Sequence, residues 1–314
     1  MPSSGSVDFS VSGDDIIQDA YENLQAVEPG VAPTAAEITL ARRKLNMIVK
    51  QYQGQADFSR GLKKWSRKRA YVFLQKNQGV YSLGPSGDHA TGSYVTTTLT
   101  AASPISDTTI VVSSITGILA SDFVGIEMDS GSIHWTTVSG TPSGSTVTLA
   151  VGVTGAASIG RRLFAYTTKM RRPLQILTAV LRDSSTNDTP MEPMLLPSYE
   201  AIPSKTSDGT PIGYMYEEQL TNGTLSLDVE PSDVTNVIRL VYLSAIEDFD
   251  ASTDTPDYPQ SWYRFLSAQL SIDLSIGVGR QLTPGMKLVR DESLAIAQNE
   301  FPETTEIYFE PGRN

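Results

Sequence analysis

Between Ala90 and Gly160 the chain carries no lysine or arginine, and this cation-free window constrains the fold more than any other feature. From His89 to Thr168 six β-rich runs, "SYVTTTLT", "TTIVVSS", "DFVGIEM", "IHWTTVSG", "TVTLAVGV" and "RLFAYTT", follow one another across turns of Gly, Ser, Pro and Asp. Short strands at this spacing, with no helical period between them, describe an all-β module, sandwich or barrel, of about 80 residues. The composition differs on either side, so residues 89–168 are expected to be an insertion between two strands of another domain.

The flanking segments define that other domain. Ser12 and Asp15 fit a capping box, after which Ile16, Ile17, Ala20, Tyr21, Leu24 and Val27 recur at helical spacing. A second box, Thr34 and Glu37, opens a helix with Ile38, Ala41, Leu45, Ile48 and Tyr52 on one face, ended at Gly54. The short "EPGVAP" link makes the two a helical hairpin. "AYVFL" and "GVYSLG" before the module, and "PLQILTAVLRD", "PIGYMYE", "GTLSLDVEP" and "VIRLVYLSA" after it, read as strands, with "TNGT" as a type I′ hairpin turn. Pro259 precedes a helix through Trp262, Phe265, Leu266, Leu270 and Leu274; Thr283 and Pro284 open another through Met286, Val289 and Ile296. The expected class is α+β: a helical hairpin and C-terminal helices around an antiparallel sheet, residues 1–88 with 169–301, carrying the inserted β domain and followed by a tail, 302–314.

Charge is spread unevenly. Arg42 to Lys76 holds eleven Lys or Arg against Asp57 alone, a balance of +10, so the rest of the chain carries −21 within the net −11. Within that stretch "SRGLKKWSRKRAY" concentrates Arg60, Lys63, Lys64, Arg67, Lys68 and Arg69. Three uses are open to it: contact with an acidic protein partner, contact with a DNA backbone, or a solvated face. Trp65 is better placed to pack than to stack on a base. "EDFDASTDTPDY" gathers Glu247, Asp248, Asp250, Asp254 and Asp257 before a helix start; it can be a solvated acidic loop, a contact for a neighbouring copy's basic face, or a cation site.

Residues that carry chemistry are sparse. With no cysteine there is no disulfide, thiolate metal site or cysteine nucleophile, and synthesis in a reducing cytoplasm is expected. No run of 18 apolar residues and no leader pattern is found, so neither a membrane span nor a signal peptide is expected. His89 and His134 lack paired-histidine or HExxH spacing, and His134 reads as a strand residue. "GVGRQLTPG" departs from GxGxxG because Leu282 stands at the third glycine. No catalytic residue, metal or cofactor is expected. The classes left are a structural assembly protein, a nucleic-acid-binding protein using the 60–69 stretch and, more distantly, a glycan-active β protein.

The order of segments resembles one family. "GDDIIQDAYENLQAV" and "TAAEITLARRKLNMIVKQYQ", then the Trp65 and strand segment, then "RRPLQILTAVLRDSSTNDTPMEPMLLPSYEAIPSKTSDGTPIGYMYEEQLTNGTLSLDVEP" and "DYPQSWYRFLSAQLSIDLSIGVG", look like the head-to-tail adaptors of short-tailed bacteriophages, also called head-completion proteins or tail tubular protein A. The likeness covers nearly all of the chain outside the β insertion and rests on the order of loose motifs. It implies a virion protein at the portal vertex: a twelve-copy ring that binds the portal above and the tail nozzle below, seals the packaged DNA, and gives it a channel for ejection. The β insertion departs from the smallest family members; its "DFVGIEMDSGSIHWTTVSG" hairpin is similar to β modules appended to many phage virion proteins, so it is expected on the outside of that ring, facing fibres, capsid or neighbouring modules. The tail residues Ile307, Tyr308 and Phe309 are either a portal-docking segment or part of a loose acidic end.

Overall fold

A computed structural model describes residues 9–54 and 62–300. Helices α1 (Gly13–Asn23) and α2 (Ala35–Gln53) and a 3-10 turn (Leu62–Ser66) precede strands β1 (Arg67–Phe73), β2 (Val80–Leu83) and β3 (Ala90–Thr91). Then come β4 (Val95–Thr98), β5 (Thr109–Val111), β6 (Phe123–Glu127), β7 (Ile133–Thr137), β8 (Thr146–Thr148) and β9 (Arg162–Tyr166). The chain continues through β10 (Pro173–Arg182), β11 (Asp188–Pro190), β12 (Glu192–Pro193), α3 (Leu196–Glu200) and β13 (Asp208–Gly209). It ends through β14 (Gly213–Glu217), β15 (Gly223–Leu227), β16 (Glu230–Pro231), β17 (Val237–Ser244), α4 (Tyr263–Val278) and α5 (Pro284–Asn299). The class is α+β; the sheets are antiparallel apart from the parallel pairs β12 with β14 and β13 with β16.

The chain divides into two compact units, Met1–Ser66 with Ala245–Asn314, and Arg67–Ser244. The boundaries expected at 88/89 and 168/169 fall instead inside the second unit. Strand pairing holds the second unit together: β17 pairs with both β1 and β10, which come from either side of the β-rich window.

In the helical unit both capping boxes form, with Ser12 Oγ accepting from Asp15 N and Thr34 Oγ1 from Glu37 N. Each also receives the acid's reciprocal contact, so orphan amides at the helix start are satisfied. Helix α4 is the hub, touching α1, α2 and α5. Phe265, Leu266 and Leu270 are buried on it against Ile16, Ile17, Leu45 and Ile48. Its serines let other backbones approach closely: Ser271 Oγ donates to Ala20 O across to α1. Pro259 caps a 3-10 turn, Gln260–Trp262, from which α4 departs, rather than starting the helix itself. Helix α5 packs by Ser293 and Ala297, and Ile296, expected on the packed face, is 65% exposed.

In the β unit a five-stranded sheet, β11-β10-β17-β1-β3, lies against a four-stranded one, β12-β14-β15-β2. Val72, Leu240, Ile238, Leu83, Tyr81, Leu225 and Leu227 are buried between them. Alternation along β1 sends Ala70 and Val72 into this core and Tyr71 and Phe73 to the opposite face. "TNGT" does not make a two-residue turn, because β14 and β15 pair only as far as Glu217 and Thr224 and the loop is longer. Gly223 opens β15 under the Tyr216 ring, where a Cβ would lie 1.9 Å from the phenol oxygen.

The six runs between residues 95 and 166 become six strands: the sheet β4-β9-β6-β7 and the ribbon β5-β8. Single bridges, Leu99 to Val112 and Val138 to Leu149, tie the ribbon to both flanks of the sheet around Ile110, Val124, Ile126, Val147 and Leu163. An aromatic cluster joins this module to the central sheet. Phe73 lies 5.0 Å from both Trp135 and Phe164 and 5.2 Å from Tyr94. His89 stacks on Trp135 at 3.9 Å and shares a 2.6 Å hydrogen bond with the Tyr166 hydroxyl.

Candidate interaction face

The basic residues singled out in the sequence are placed unequally. Arg60 lies outside the described residues, as do Ile307, Tyr308 and Phe309. Lys63 and Lys64 fall on the 3-10 turn that leads into β1. Arg67, Lys68 and Arg69 form the exposed first half of β1, so the strand starts three residues earlier than its apolar run. Alternation then separates them: Arg67 and Arg69 share a face with Tyr71 and Phe73, and Lys68 has the other parity.

Register adds two arginines from distant parts of the chain to that face. Tyr71 stands opposite Arg239 on β17, Arg239 opposite Val180 on β10, and Val237 opposite Arg182. Residues directly opposite share a side of the sheet, so Arg67, Arg69, Arg239 and Arg182 lie on one face. Arg182 grips Asp188 with two bonds of 2.7 and 2.8 Å, while Arg239 reaches the same carboxylate at 3.2 Å. The Arg182 hydrogen bonds hold the Asp188 carboxyl below its usual range, with Arg239 adding a smaller pull. Two guanidiniums thus share one carboxylate, and among the described residues no carboxylate pairs with Arg69. The face is net positive. Sequence alone gave no sign of Arg182 or Arg239, since each is a lone cation in an apolar strand.

The cations of α2 are used differently. Arg42 Nη2 pairs with Asp14 at 2.6 Å and its Nη1 donates to Asp250 O. Lys50 pairs with Asp248 at 2.7 Å and also donates to Ile246 O, and Lys44 donates to Asp273 O. Asn46 completes the row, donating to Phe249 O and accepting from Phe249 N. The acidic segment 246–250 is therefore pinned along α2 of its own chain. Asp254 accepts from the amides of Asp250 and Ala251, which lowers its pKa.

Both histidines have structural partners. His134 is buried beside Thr154 Oγ1 and Val151 O, at 3.3 and 3.4 Å. Burial, with a smaller push from Lys169, lowers the pKa of His89 to about 3. Among the described residues no group of three His, Cys, Asp or Glu is placed to hold a metal ion. None of their helices is long and apolar enough to cross a membrane.

No family model matches the sequence, and no curated protein matches it. Among solved structures, part of the chain is similar to the Gp54 tailspike of Acinetobacter baumannii bacteriophage AP22, in complex with A. baumannii capsular saccharide. The identity is 14%, the match covers 26% of this chain and 16% of that one, and the TM-score is 0.22. A likeness of that size carries no structural argument, and the chain spans under a fifth of the tailspike.

Proposed function

We propose that the chain is a structural virion protein of the head-to-tail adaptor kind. Its copies form a ring under the portal at the capsid vertex, hold the tail nozzle, seal packaged DNA and leave a channel for its ejection. The observation that carries the reading is the helical unit. Helices α1 and α2 from the start of the chain and α4 and α5 from its end make one body, with the strands between them in sequence, the order of segments on which the resemblance rests. The arginine face supports a contact with an acidic partner, a neighbouring copy or the portal, because Arg182 and Arg239 share one carboxylate and, among the described residues, none pairs with Arg69. Repetition around a ring multiplies the effect of each modest contact. The inserted module is proposed to face outward, towards fibres or capsid.

Electron microscopy of the purified chain mixed with portal rings tests this directly. A twelve-fold ring stacked on the portal is expected; the absence of any defined oligomer with the portal or nozzle contradicts the reading. A second reading, binding of nucleic acid through the same arginines, is favoured by Arg69, with which no carboxylate among the described residues pairs. It requires affinity for DNA that falls steeply as salt rises, the mark of counterion release.

A further inference from the structure

A cleft within the β unit shares Arg182 with the arginine face and adds aromatic rings and a second guanidinium to it. It opens where the arginine-bearing face of the central sheet meets β4 and β9, and its volume is about 440 Å3, inside the roughly 300–1,000 Å3 range of small-ligand sites. Tyr71 and Arg182 line it from the sheet, and Tyr94, Arg162 and Phe164 from the module. Tyr71 and Tyr94 meet edge to face at 5.0 Å, Tyr94 and Phe164 at 5.9 Å, and the Arg162 guanidinium lies 5.1 Å from the Phe164 ring.

The hydrogen-bond inventory of the cleft is one-sided. Arg162 spends Nε and Nη2 on Glu127 and on the carbonyls of Val234 and Thr235, and Arg182 spends the same two nitrogens on Asp188. Among the described residues neither Nη1 has a partner, nor has the hydroxyl of Tyr71 or Tyr94. The nearby acceptors are taken, Glu127 and Asp188 by these arginines and Asp183 by the amides of Ser185 and Asn187. A ligand that fits must bring acceptors of its own and an apolar face to lie on aromatic rings. Arg162 and Arg182 are each held by a carboxylate and offer one Nη1 apiece, so the cleft presents single donors rather than the cluster of free cations on which a polyphosphate draws. A pyranose bearing a carboxylate meets both demands: its C–H face covers a tyrosine ring, and its carboxylate and ring oxygens accept from the free guanidinium and phenol donors.

We infer that this cleft is a binding site for an acidic saccharide, of the uronic or sialic acid class. All of its walls belong to the β unit, so the site does not depend on the ring reading. Calorimetric titration of the full chain with trigalacturonate, sialyllactose and a hyaluronan tetrasaccharide tests it. At least one of the three is expected to bind with a Kd of about 1 mM or tighter, and Tyr94→Ala and Arg182→Gln are each expected to weaken that binding about tenfold or more. Arg43→Gln on α2 leaves it unchanged. Tyr94 also packs in the aromatic cluster, so Thr96→Trp at the exposed rim serves as the second variant: it fills the cleft from outside, abolishing binding with thermal unfolding unaltered. Failure of all three saccharides to bind, or binding that survives Thr96→Trp, overturns the inference. Displacement of the bound saccharide by a short single-stranded DNA overturns it in favour of a nucleic-acid site.

Discussion

Helix α2 and strand β1 belong to one basic stretch of chain and put their cations to opposite uses. On α2, Arg42, Lys44 and Lys50 reach carboxylates and carbonyls of their own unit and hold the 246–250 segment against the helix. On β1 the work of holding is done by the other half of the strand. Ala70, Val72 and Phe73 are buried, which leaves the half containing Arg67, Lys68 and Arg69 exposed, and among the described residues no carboxylate pairs with Arg69. A cation run is thus not a single functional object. Whether a residue of the run binds a partner depends on whether its own fold supplies an anion first, and that is decided by residues some 200 positions away.

The contrast can be broken most severely at the anchor of β1. Phe73 is 1% exposed and touches Tyr94, Trp135, Phe164 and Tyr166. Phe73→Ala is expected to cost about 3–5 kcal/mol, the usual range for a buried Phe truncated to Ala, read as a lowered denaturant midpoint. A loss under about 1 kcal/mol would mean that the aromatic cluster does not hold the strand. On α2 the corresponding change is Asn46→Ala, which removes both side-chain bonds to the Phe249 backbone. It should destabilise by about 1–3 kcal/mol, because polar backbone groups lose their partners. A neutral result would show that the segment docks without α2.

His89 sharpens the picture of the β1 anchor through pH. Its folded pKa, about 3, lies below the ordinary 6.5, so between those values the unfolded chain binds a proton that the folded chain refuses. Stability from this group is full above about pH 6.5 and is lost as pH falls towards 3. Thermal unfolding at pH 7.5 and pH 5 should show a larger fall for the natural chain than for His89→Phe; equal falls would contradict the neutral, stacked histidine. The smallest effect on folding is expected at Arg69→Gln, within about 0.5 kcal/mol, as for surface positions generally. The same variant should nonetheless weaken binding to an acidic partner.

Local signals in the sequence transferred well to the fold. Both capping boxes formed because each needs only residues three apart, and the six β runs became six strands because alternation and turn residues are also local. What could not be read depends on register or on partners far along the chain. Arg182 and Arg239 join Arg69 only through the pairing of β10, β17 and β1. The "TNGT" turn was misjudged because the Tyr216 ring, not a tight turn, demands Gly223. Ile296 sits at helical spacing, yet α5 uses Ser293 and Ala297 to approach α4, a choice set by the packing distance between helices.

Co-sedimentation with purified portal rings tests most directly whether the chain is an adaptor that uses its sheet arginines. The natural chain is expected to sediment with the portal. A variant carrying Arg69→Glu, at an exposed position of β1, should stay in the supernatant while unfolding at nearly the same temperature. If that variant sediments with the portal as well as the natural chain does, or if the natural chain does not sediment with it at all, the assignment fails.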